Sequence, residues 1–356
     1  MKETTLLQIE QCKKALLKTG VICFPTETVM GLGVSFDNYL AYQRMNEIKE
    51  RPADKPFTLM IKSVDEIEKY AYVDEKIRRV IHQFMPGSLT MLLRVKDNVP
   101  GYVTHNTGVI GIRIPNNEEA LELLKALDKP LLVPSANKSG HKPALNSDEA
   151  RVIFGDEVSA YIDGKCPGGK PSTIVDFSGE KPVLVRKGPI PFEAVECVYY
   201  NHKYEETVMC YLFKGDEMLM LFRNKKKVDI NKGKWIGVGG HMEHGETPDD
   251  AMRREFFEET GTKLITMNSV ASIVFLFKHD VEFMHVYTSD AYAGNINYDC
   301  DEGTLSWINI HDLPKIPMWE GDKYFIGPIL ENKPFFELLL EYDGDKLVKM
   351  KHIEEE

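Results

Sequence analysis

Short apolar runs alternate with amphipathic stretches along the first half of the chain. Runs of aliphatic and aromatic residues at 20–33, 57–62 and 89–95 have the length and composition of buried strands. Between them, apolar positions recur with helical spacing at 40–50 and 64–87. Further strands are expected at 108–115 and 130–137, with a helix at 117–127. This alternation predicts a mixed α/β domain with a sizeable core.

The second half of the chain has longer apolar strands and tighter turns. Residues 207–222 predict a hairpin that turns at Lys214-Gly215-Asp216. Strands are also predicted at 271–278, 284–293 and 303–310. Residues 335–353 fit either a last hairpin or a helix followed by a strand.

The two patterns meet at residues 188–206, where two prolines precede a stretch of mixed charge. A length of 356 residues also favours two domains over one. We therefore expect a first domain at 1–195, a linker at 196–205 and a second domain at 206–356.

Net charge is distributed unevenly between these halves. Residues 1–200 hold 26 Lys or Arg against 26 Asp or Glu, so the remainder carries the whole net charge of −11. An acidic half disfavours binding to double-stranded DNA and suits a site for cations, although solubility alone would also explain it. No apolar run is long enough to span a membrane, and the six scattered cysteines predict reduced thiols in a cytoplasmic protein.

Residues 239–261 crowd carboxylates onto one predicted helix. Thr247-Pro248 is a strong helix start, and Gly261 is a natural stop. Glu255, Glu258 and Glu259 follow i, i+3, i+4 spacing and therefore share one face. Like charges repel there by a few tenths of a kcal/mol per pair, which a hard cation such as Mg²⁺ or Mn²⁺ would relieve. A solvated acidic face is the alternative.

Gly240, Glu246 and the segment "REFFEETG" at 254–261 decide between these alternatives. Their spacing resembles the Nudix box, Gx5Ex7REUxEExGU, with only Thr262 departing from the usual aliphatic residue. The resemblance implies a metal-dependent hydrolase of nucleoside diphosphate linkages. It implies that Glu255, Glu258 and Glu259 are catalytic metal ligands and that Arg254 pairs with a glutamate of the box, Glu246. The carbonyl of Gly239 and the later acid Glu302 would complete the metal site.

Other segments of this half resemble the oxidised-purine triphosphatases, the 8-oxo-dGTP diphosphatase group. The resemblance implies that Phe275, Trp319 and Asp322 sandwich and read the purine base. Two positions depart from the animal members of the group. Ile236 stands where those proteins carry an Asn, and Gly321 stands where they carry the first of two Asp.

Seven short strings in the first half appear in a recognisable order. They are "FPTETVMGLG" (24–33), "KERPADKPFTLMI" (49–61), "PGSLTMLL" (86–93), "GIRIP" (111–115), "PSANKSG" (134–140), "PSTIVD" (171–176) and "RKG" (186–188). Together they resemble the YrdC-type threonylcarbamoyl-AMP synthases. That family joins L-threonine, bicarbonate and ATP and supplies the N6-threonylcarbamoyl modification of adenosine-37 in tRNA. The resemblance also implies partner proteins from the same pathway.

The implied fold is a YrdC-like twisted mixed sheet with helices, followed by a Nudix α/β/α sandwich. A triphosphate and a carbamate both need cations, which Lys49, Arg51 and Lys55 supply within seven residues. The resemblance assigns the threonine pocket to Thr26, Arg113, Ser135 and Thr173, and the nucleotide to Asn137, Ser139 and Arg186. Met30 departs from the Tyr that is common in the family.

Each of the two domains could also be a binding module without being an enzyme. The first domain could be a nucleotide-binding or RNA-binding module without catalysis. The second could be a sensor that binds a nucleotide without cleaving it. The cation set and the "SAN" loop favour a synthase, and the complete set of three box glutamates favours a hydrolase.

Overall fold

The computed structural model describes residues 3–50 and 56–353. The chain divides into two compact units, Met1–Asn201 and His202–Glu356. Among the described residues, no helix is both long and apolar enough to cross a membrane.

One mixed sheet is the centre of the N-terminal unit. Its strands are β1 (Ile22–Phe24), β2 (Gly31–Ser35), β3 (Thr58–Met60), β4 (Leu89–Arg94), β5 (Val109–Arg113), β6 (Leu131–Val133), β7 (Ala160–Tyr161), β8 (Thr173–Asp176) and β9 (Val183–Arg186). The order across the sheet is β7-β1-β2-β6-β3-β5-β4-β8-β9 within the described chain. Parallel and antiparallel neighbours are mixed, because β3 runs parallel to β5 and antiparallel to β6.

Several helices of the N-terminal unit begin at side-chain caps. They are α1 (Glu3–Leu16), α2 (Tyr39–Lys49), α3 (Ile67–Tyr70), α4 (Glu75–Phe84), α5 (Gly101–Thr104), α6 (Glu118–Leu127), α7 (Ser147–Phe154) and α8 (Phe192–Tyr199). Asn38, Asp74, Asn117 and Asn146 each accept a hydrogen bond from a backbone N–H in the first turn of α2, α4, α6 and α7. Helices α1 and α6 bury apolar side chains against β1, β3 and β6.

A second mixed sheet forms the C-terminal unit. Its strands are β10 (Tyr204–Lys214), β11 (Glu217–Arg223), β12 (Trp235–Ile236), β13 (Val238–His241), β15 (Asn268–Phe277), β16 (Asp280–Ser289), β18 (Gly303–Asn309), β19 (Phe336–Asp343) and β20 (Lys346–His352). The described strands run β12-β11-β10-β16-β15-β19-β20, with β13 on β10 and β18 on β11. A small separate pair joins β14 (Lys263–Leu264) to β17 (Tyr292–Ala293).

The two faces of this second sheet are covered by different helices. Helix α9 (Pro248–Thr260) packs Ala251, Met252 and Phe256 against one face. Helix α10 (Lys323–Leu330) packs Phe325 and Ile326 against the other. The unit is therefore an α/β/α sandwich, and the fold class expected from the sequence is confirmed for both units.

Most predicted elements have the predicted type. The hairpin at 207–222 is present as β10 and β11, and residues 335–353 form a hairpin, not a helix followed by a strand. Helix α9 begins at the Thr247 cap and ends at Gly261, which has the left-handed φ of 70° that favours glycine. The expected linker overlaps the end of α8, whose Cys197, Val198 and Tyr199 are buried, and the start of β10.

Candidate active sites

A cavity of about 150 Å³ in the N-terminal unit brings together residues from distant parts of the chain. Four residues expected at the site line it: Thr26, Arg113, Ser135 and Arg186. They are contributed by the loop after β1, by β5, by the loop after β6 and by β9. Met30, the departure from the family pattern, also lines the cavity and is fully buried. The lining therefore combines two cations with hydroxyl-bearing and apolar side chains.

Arg113 is fixed by three neighbours inside this unit. It donates to the carbonyl oxygen of Gly87 at 3.3 Å, to Glu27 Oε1 at 2.8 Å and to Thr28 Oγ1 at 2.8 Å. The Oε2 atom of Glu27 is buried without a hydrogen-bond partner among the described residues. Arg113 is therefore held in one orientation, and its carboxylate partner keeps one oxygen unsatisfied.

Arg186 lies close enough to Arg113 for the two charges to interact. It donates to the carbonyl oxygen of Ser172 at 3.0 and 2.8 Å and to Ser172 Oγ at 3.1 Å. Burial, and then the charge of Arg113, lower the pKa of the Arg186 guanidinium to about 10. A lowered pKa means that the surroundings oppose the positive charge, so an anion bound between the two arginines would be stabilised.

Lys49 holds a loop and does not line the cavity. Its ammonium donates to the carbonyl oxygens of Ser135 at 2.5 Å and Asn137 at 2.6 Å, and only 1% of the residue is exposed. Asn137 Oδ1 in turn accepts from Ser135 Oγ at 2.6 Å. The expected phosphate-binding lysine therefore fixes the "SAN" loop and thereby positions Ser135 at the cavity.

The remaining expected residues fall into two groups. Thr173 is buried and donates to the carbonyl oxygen of Ile190 at 2.7 Å, while Ser139 Oγ is buried without a partner among the described atoms. Arg51 and Lys55 lie outside the described residues.

Residues that sequence reasoning missed also line or support the cavity. Thr90 Oγ1 and Ser172 Oγ lie 2.8 Å apart at its wall, and Thr58 lines it as well. All three lie within the sequence motifs quoted above, but the motifs alone did not indicate that these residues line the site. Glu27 lies within "FPTET", and its role depends on Arg113, which is 86 positions away.

Arg254 organises the acidic helix of the C-terminal unit. It binds Glu246 through two nitrogens, at 2.9 and 2.7 Å, which confirms the predicted pair. It also contacts Glu255 at 2.6 Å, Glu258 at 3.4 Å and the carbonyl oxygen of His241 at 3.1 Å. Hydrogen bonds from Arg254 lower the pKa of Glu246. One guanidinium therefore offsets the repulsion among several box glutamates.

Glu259 is the buried member of the acidic set. Only 7% of Glu259 is exposed, whereas the Glu258 side chain is 56% exposed. Burial raises the pKa of Glu259 to about 7, and the charge of Glu255 adds to the effect. The carboxylate of Glu255 approaches the backbone at Gly240 so closely that a Cβ atom there would overlap it. A larger residue at position 240 would therefore displace the Glu255 carboxylate from this position.

The fit of these residues to a divalent cation is partial. Across the described residues, no group of three or more His, Cys, Asp or Glu converges to hold a metal ion. However, Glu259 Oε2 is buried without a hydrogen-bond partner in the described chain. A hard cation would satisfy this oxygen. Glu302, the expected later acid, is ion-paired with Arg223 and Lys226, and Arg223 also binds Asp229 at 2.7 Å.

A second cavity, of about 70 Å³, lies in the C-terminal unit. It contains the three residues expected to recognise a base: Phe275, Trp319 and Asp322. The indole Nε1 of Trp319 donates to Asn231 Oδ1 at 2.7 Å, and its backbone N–H donates to Asp322 Oδ2 at 3.0 Å. Burial raises the pKa of Asp322 to about 7, although that N–H and the charge of Lys234 act in the opposite direction.

Of the two departures from the triphosphatase pattern, one lines this cavity and the other contacts a residue that lines it. Ile236 lines it as an apolar side chain. Gly321 donates its N–H to Tyr342 Oη at 2.8 Å, and a Cβ atom at position 321 would overlap that hydroxyl. A second aspartate beside Asp322 would therefore require Tyr342 to shift. Sequence reasoning missed Tyr342 and the cavity residues Tyr211, Asn231 and Glu282.

Comparisons with known proteins agree with this division. Residues 14–188 match the model of the Sua5/YciO/YrdC family, described as "Telomere recombination", and residues 203–327 match the NUDIX domain model. A relative from Methanocaldococcus jannaschii, provisionally named a threonylcarbamoyl-AMP synthase, is 35% identical over 186 residues, covering 52% of this chain and 87% of that protein. The threonylcarbamoyl-AMP synthase of Pyrococcus abyssi is 34% identical over 50% of this chain and 53% of its own length.

One solved structure extends the comparison to three dimensions. The crystal structure of P. abyssi Sua5 complexed with L-threonine has a TM-score of 0.52 and 28% identity, covering 58% of this chain and 68% of that chain. The fold and the two sites define a two-domain protein with an arginine-lined cavity in one domain and a glutamate helix in the other. The chain belongs to the Sua5/YciO/YrdC family and carries a NUDIX domain after it.

Proposed function

We propose that the chain is a bifunctional nucleotide enzyme. The N-terminal unit makes L-threonylcarbamoyl-AMP from L-threonine, bicarbonate and ATP, releasing pyrophosphate, and thereby supplies the pathway that modifies adenosine-37 of tRNA. The C-terminal unit is a metal-dependent hydrolase of a nucleoside triphosphate, with an oxidised purine as the preferred base. Both reactions belong in the cytoplasm, where the six buried cysteines would remain thiols.

The pairing of Arg113 and Arg186 in one cavity supports the synthase assignment most strongly. Arg113 is held by Gly87, Glu27 and Thr28, so it offers a fixed cation to a carboxylate or a phosphate without rearrangement. Arg186 supplies a second positive charge for the negatively charged intermediates of the reaction. Similarity to P. abyssi Sua5, which binds L-threonine in its crystal structure, points to the same amino acid.

Positioning and charge neutralisation would carry the reaction, without a covalent intermediate on a side chain. Ser135 and Thr26 border the cavity, and Lys49 keeps the Ser135 loop in place from behind. We therefore assign Arg113 and Arg186 to the anionic groups of the substrates, Thr26, Ser135 and Thr173 to the amino acid, and Asn137 and Ser139 to the nucleotide. Arg51 and Lys55 are proposed as further phosphate ligands on sequence grounds alone.

A pyrophosphate-release assay tests the synthase directly. Pyrophosphate is expected only when threonine, bicarbonate and ATP are all present, and threonylcarbamoyl-AMP is expected in the same mixture by mass spectrometry. Pyrophosphate release that does not depend on threonine would reject the synthase and favour a nucleotide-binding or RNA-binding module.

For the C-terminal unit, the combination of an aromatic-lined cavity with an acidic helix supports the hydrolase. Phe275 and Trp319 supply faces for stacking, and Asp322 supplies a carboxyl group for hydrogen bonding. Glu255, Glu258 and Glu259 would hold Mg²⁺ or Mn²⁺ with the carbonyl of Gly239, and Glu302 would join them on release from Arg223 and Lys226. When bound, the metal would supply a hydroxide-like water and neutralise the phosphates.

A panel of nucleotides tests the hydrolase. Normal, 8-oxo and 2-hydroxy purine triphosphates are compared by kcat/KM with Mg²⁺ or Mn²⁺, and again with excess chelator. The proposal expects turnover that requires metal and favours an oxidised purine. Binding without turnover of any nucleotide in the panel would favour the sensor alternative.

A further inference from the structure

Glu282 is the most unusual residue on the apolar face of the C-terminal sheet. It lies on β16 beside Phe275 of β15 and two positions before Met284. Glu282, Met284, Phe275 and Phe277 all line the same cavity. The next residue on this face, Val286, is fully buried against α10. An apolar side chain would therefore suit position 282 better, and a carboxyl group there needs a reason.

The hydrogen bonds of Glu282 leave half of its carboxyl group available. Thr207 Oγ1 donates to Oε1 at 2.8 Å, and Oε2 accepts no hydrogen bond from any residue that the structure describes. Its neighbour on β10 is Glu205, a like charge. His241 and Lys203 act against that repulsion. Burial raises the pKa of Glu282, and the hydrogen bond from Thr207 opposes this rise only in part.

Asp322 presents a second carboxyl group to this cavity from a different element. Its Oδ2 is bound by the N–H of Trp319, and its Oδ1 has no hydrogen-bond donor among the described residues. Asp322 lies at the start of α10, whereas Glu282 lies within β16. A flat base stacked on Trp319 and Phe275 would therefore meet the two carboxyl groups at different parts of its edge.

We propose that Glu282 is a second base-recognition residue, which together with Asp322 selects purines that carry ring N–H donors on both rings. The inference rests on the proposed nucleotide hydrolase and specifies its substrate class. An 8-oxopurine of the guanine type has a ring N–H on each ring, whereas guanine has one only on the six-membered ring. A buried carboxyl group left without its donor is costly, so the unmodified base is disfavoured.

Binding of nucleoside monophosphates without metal tests this role apart from catalysis. The probes are 8-oxo-dGMP and dGMP, titrated against the full chain and followed by calorimetry. Wild type is expected to prefer 8-oxo-dGMP, and Glu282→Met is expected to reduce that preference about tenfold. Glu282→Gln keeps an oxygen acceptor and is expected to retain most of the preference. Glu217→Met, at an exposed glutamate of β11 outside the cavity lining, makes the same change of side chain, serves as the matched control and should change nothing.

Thermal stability separates recognition from a purely structural role. Because methionine matches the apolar face, Glu282→Met is expected to be at least as stable as wild type. An unchanged base preference in Glu282→Met would overturn the inference, and so would a wild type that does not distinguish the two probes. A failure of the hydrolase proposal would look different. The chain would still prefer 8-oxo-dGMP in a way that depends on Glu282, but it would cleave no triphosphate in the presence of metal.

Discussion

Burial disfavours a positive charge in the N-terminal unit and negative charges in the C-terminal unit. In the N-terminal unit, burial and Arg113 lower the pKa of the Arg186 guanidinium to about 10. In the C-terminal unit, burial raises the pKa values of Asp322 and Glu259 to about 7. The surroundings therefore disfavour the charged form of Arg186 in one unit and of Asp322 and Glu259 in the other. A ligand that restores that charge balance would bind more tightly than one that does not.

This difference indicates which kind of ligand each unit would favour. Two neighbouring arginines favour anions, such as a carboxylate or phosphates, whereas buried acids favour hydrogen-bond donors or metal cations. Both observations fit nucleotide chemistry, but they concern different parts of a nucleotide. Under the proposed functions, the first cavity would bind charged groups and the second would bind a base.

Removing the buried acid of α9 should have the largest effect. We expect Glu259→Gln to lower kcat for triphosphate hydrolysis by at least about a hundredfold, because a group acting at the reacting centre is lost. Stability should be unchanged or higher, since an amide is less costly to bury than a carboxylate. Steady-state kinetics and thermal unfolding measure the two effects.

The control for this variant is Glu243→Gln, an exposed residue on the loop before α9. It changes the charge equally and should leave kcat within about twofold, as surface substitutions usually do. Equal turnover by Glu259→Gln and wild type would contradict the assignment of this acid.

Changing the fixed cation of the other cavity should have the next largest effect. A lysine at Arg113 can satisfy only part of the set formed by Gly87, Glu27 and Thr28, so Arg113→Lys leaves buried groups unpaired. We expect threonine-dependent pyrophosphate release to fall about a hundredfold, with a loss of stability of roughly 3 kcal/mol, as for broken buried ion pairs. Pyrophosphate release and urea unfolding are the measurements.

Arg186→Lys separates activity from folding, because Arg186 contacts only Ser172 among the described hydrogen-bond acceptors. It should lower activity with little loss of stability. Arg78→Lys, at a half-exposed arginine paired with Glu68 at 2.7 Å and outside the cavity lining, is the control and should keep full activity. Full activity in both Arg113→Lys and Arg186→Lys would contradict the anion site.

The pH dependence of stability tests the raised pKa of Asp322 in the second cavity. The folded pKa of Asp322, about 7, lies above the ordinary aspartate value of 3.8. The folded state therefore binds more protons between these values, and its stability falls as pH rises from about 4 to 7. Asp322→Asn should remove a slope of about −1.4 kcal/mol per pH unit. Urea unfolding at pH 5, 6, 7 and 8 compares the variant with wild type, and parallel curves would contradict the raised pKa.

Sequence reasoning located the acidic helix and most strands, because both depend on local spacing. The Thr247 cap, the Gly261 stop and the pair of Glu246 with Arg254 lie within 15 residues of one another. Such short-range features follow from helix geometry alone.

Long-range features could not be obtained in this way. The sequence assigned Lys49 to phosphates, but its contacts with Ser135 and Asn137 span more than 80 positions. Glu282 was passed over because a single acid in an apolar strand gives no periodic signal. Only the pairing of β15 with β16 shows that it faces the same cavity as Phe275.

The smallest expected effect concerns the stacking face of the second cavity. Trp319→Phe keeps an aromatic ring but removes the indole N–H that binds Asn231 at 2.7 Å. It also weakens the contact of Lys234, whose ammonium lies 3.9 Å from the indole centroid. We expect KM for the preferred triphosphate to rise about fivefold with kcat nearly unchanged, since the loss affects ground state and transition state alike. Trp307→Phe, at a tryptophan outside the cavity lining, is the control; a fall in kcat alone for Trp319→Phe would instead place Trp319 at the reacting centre.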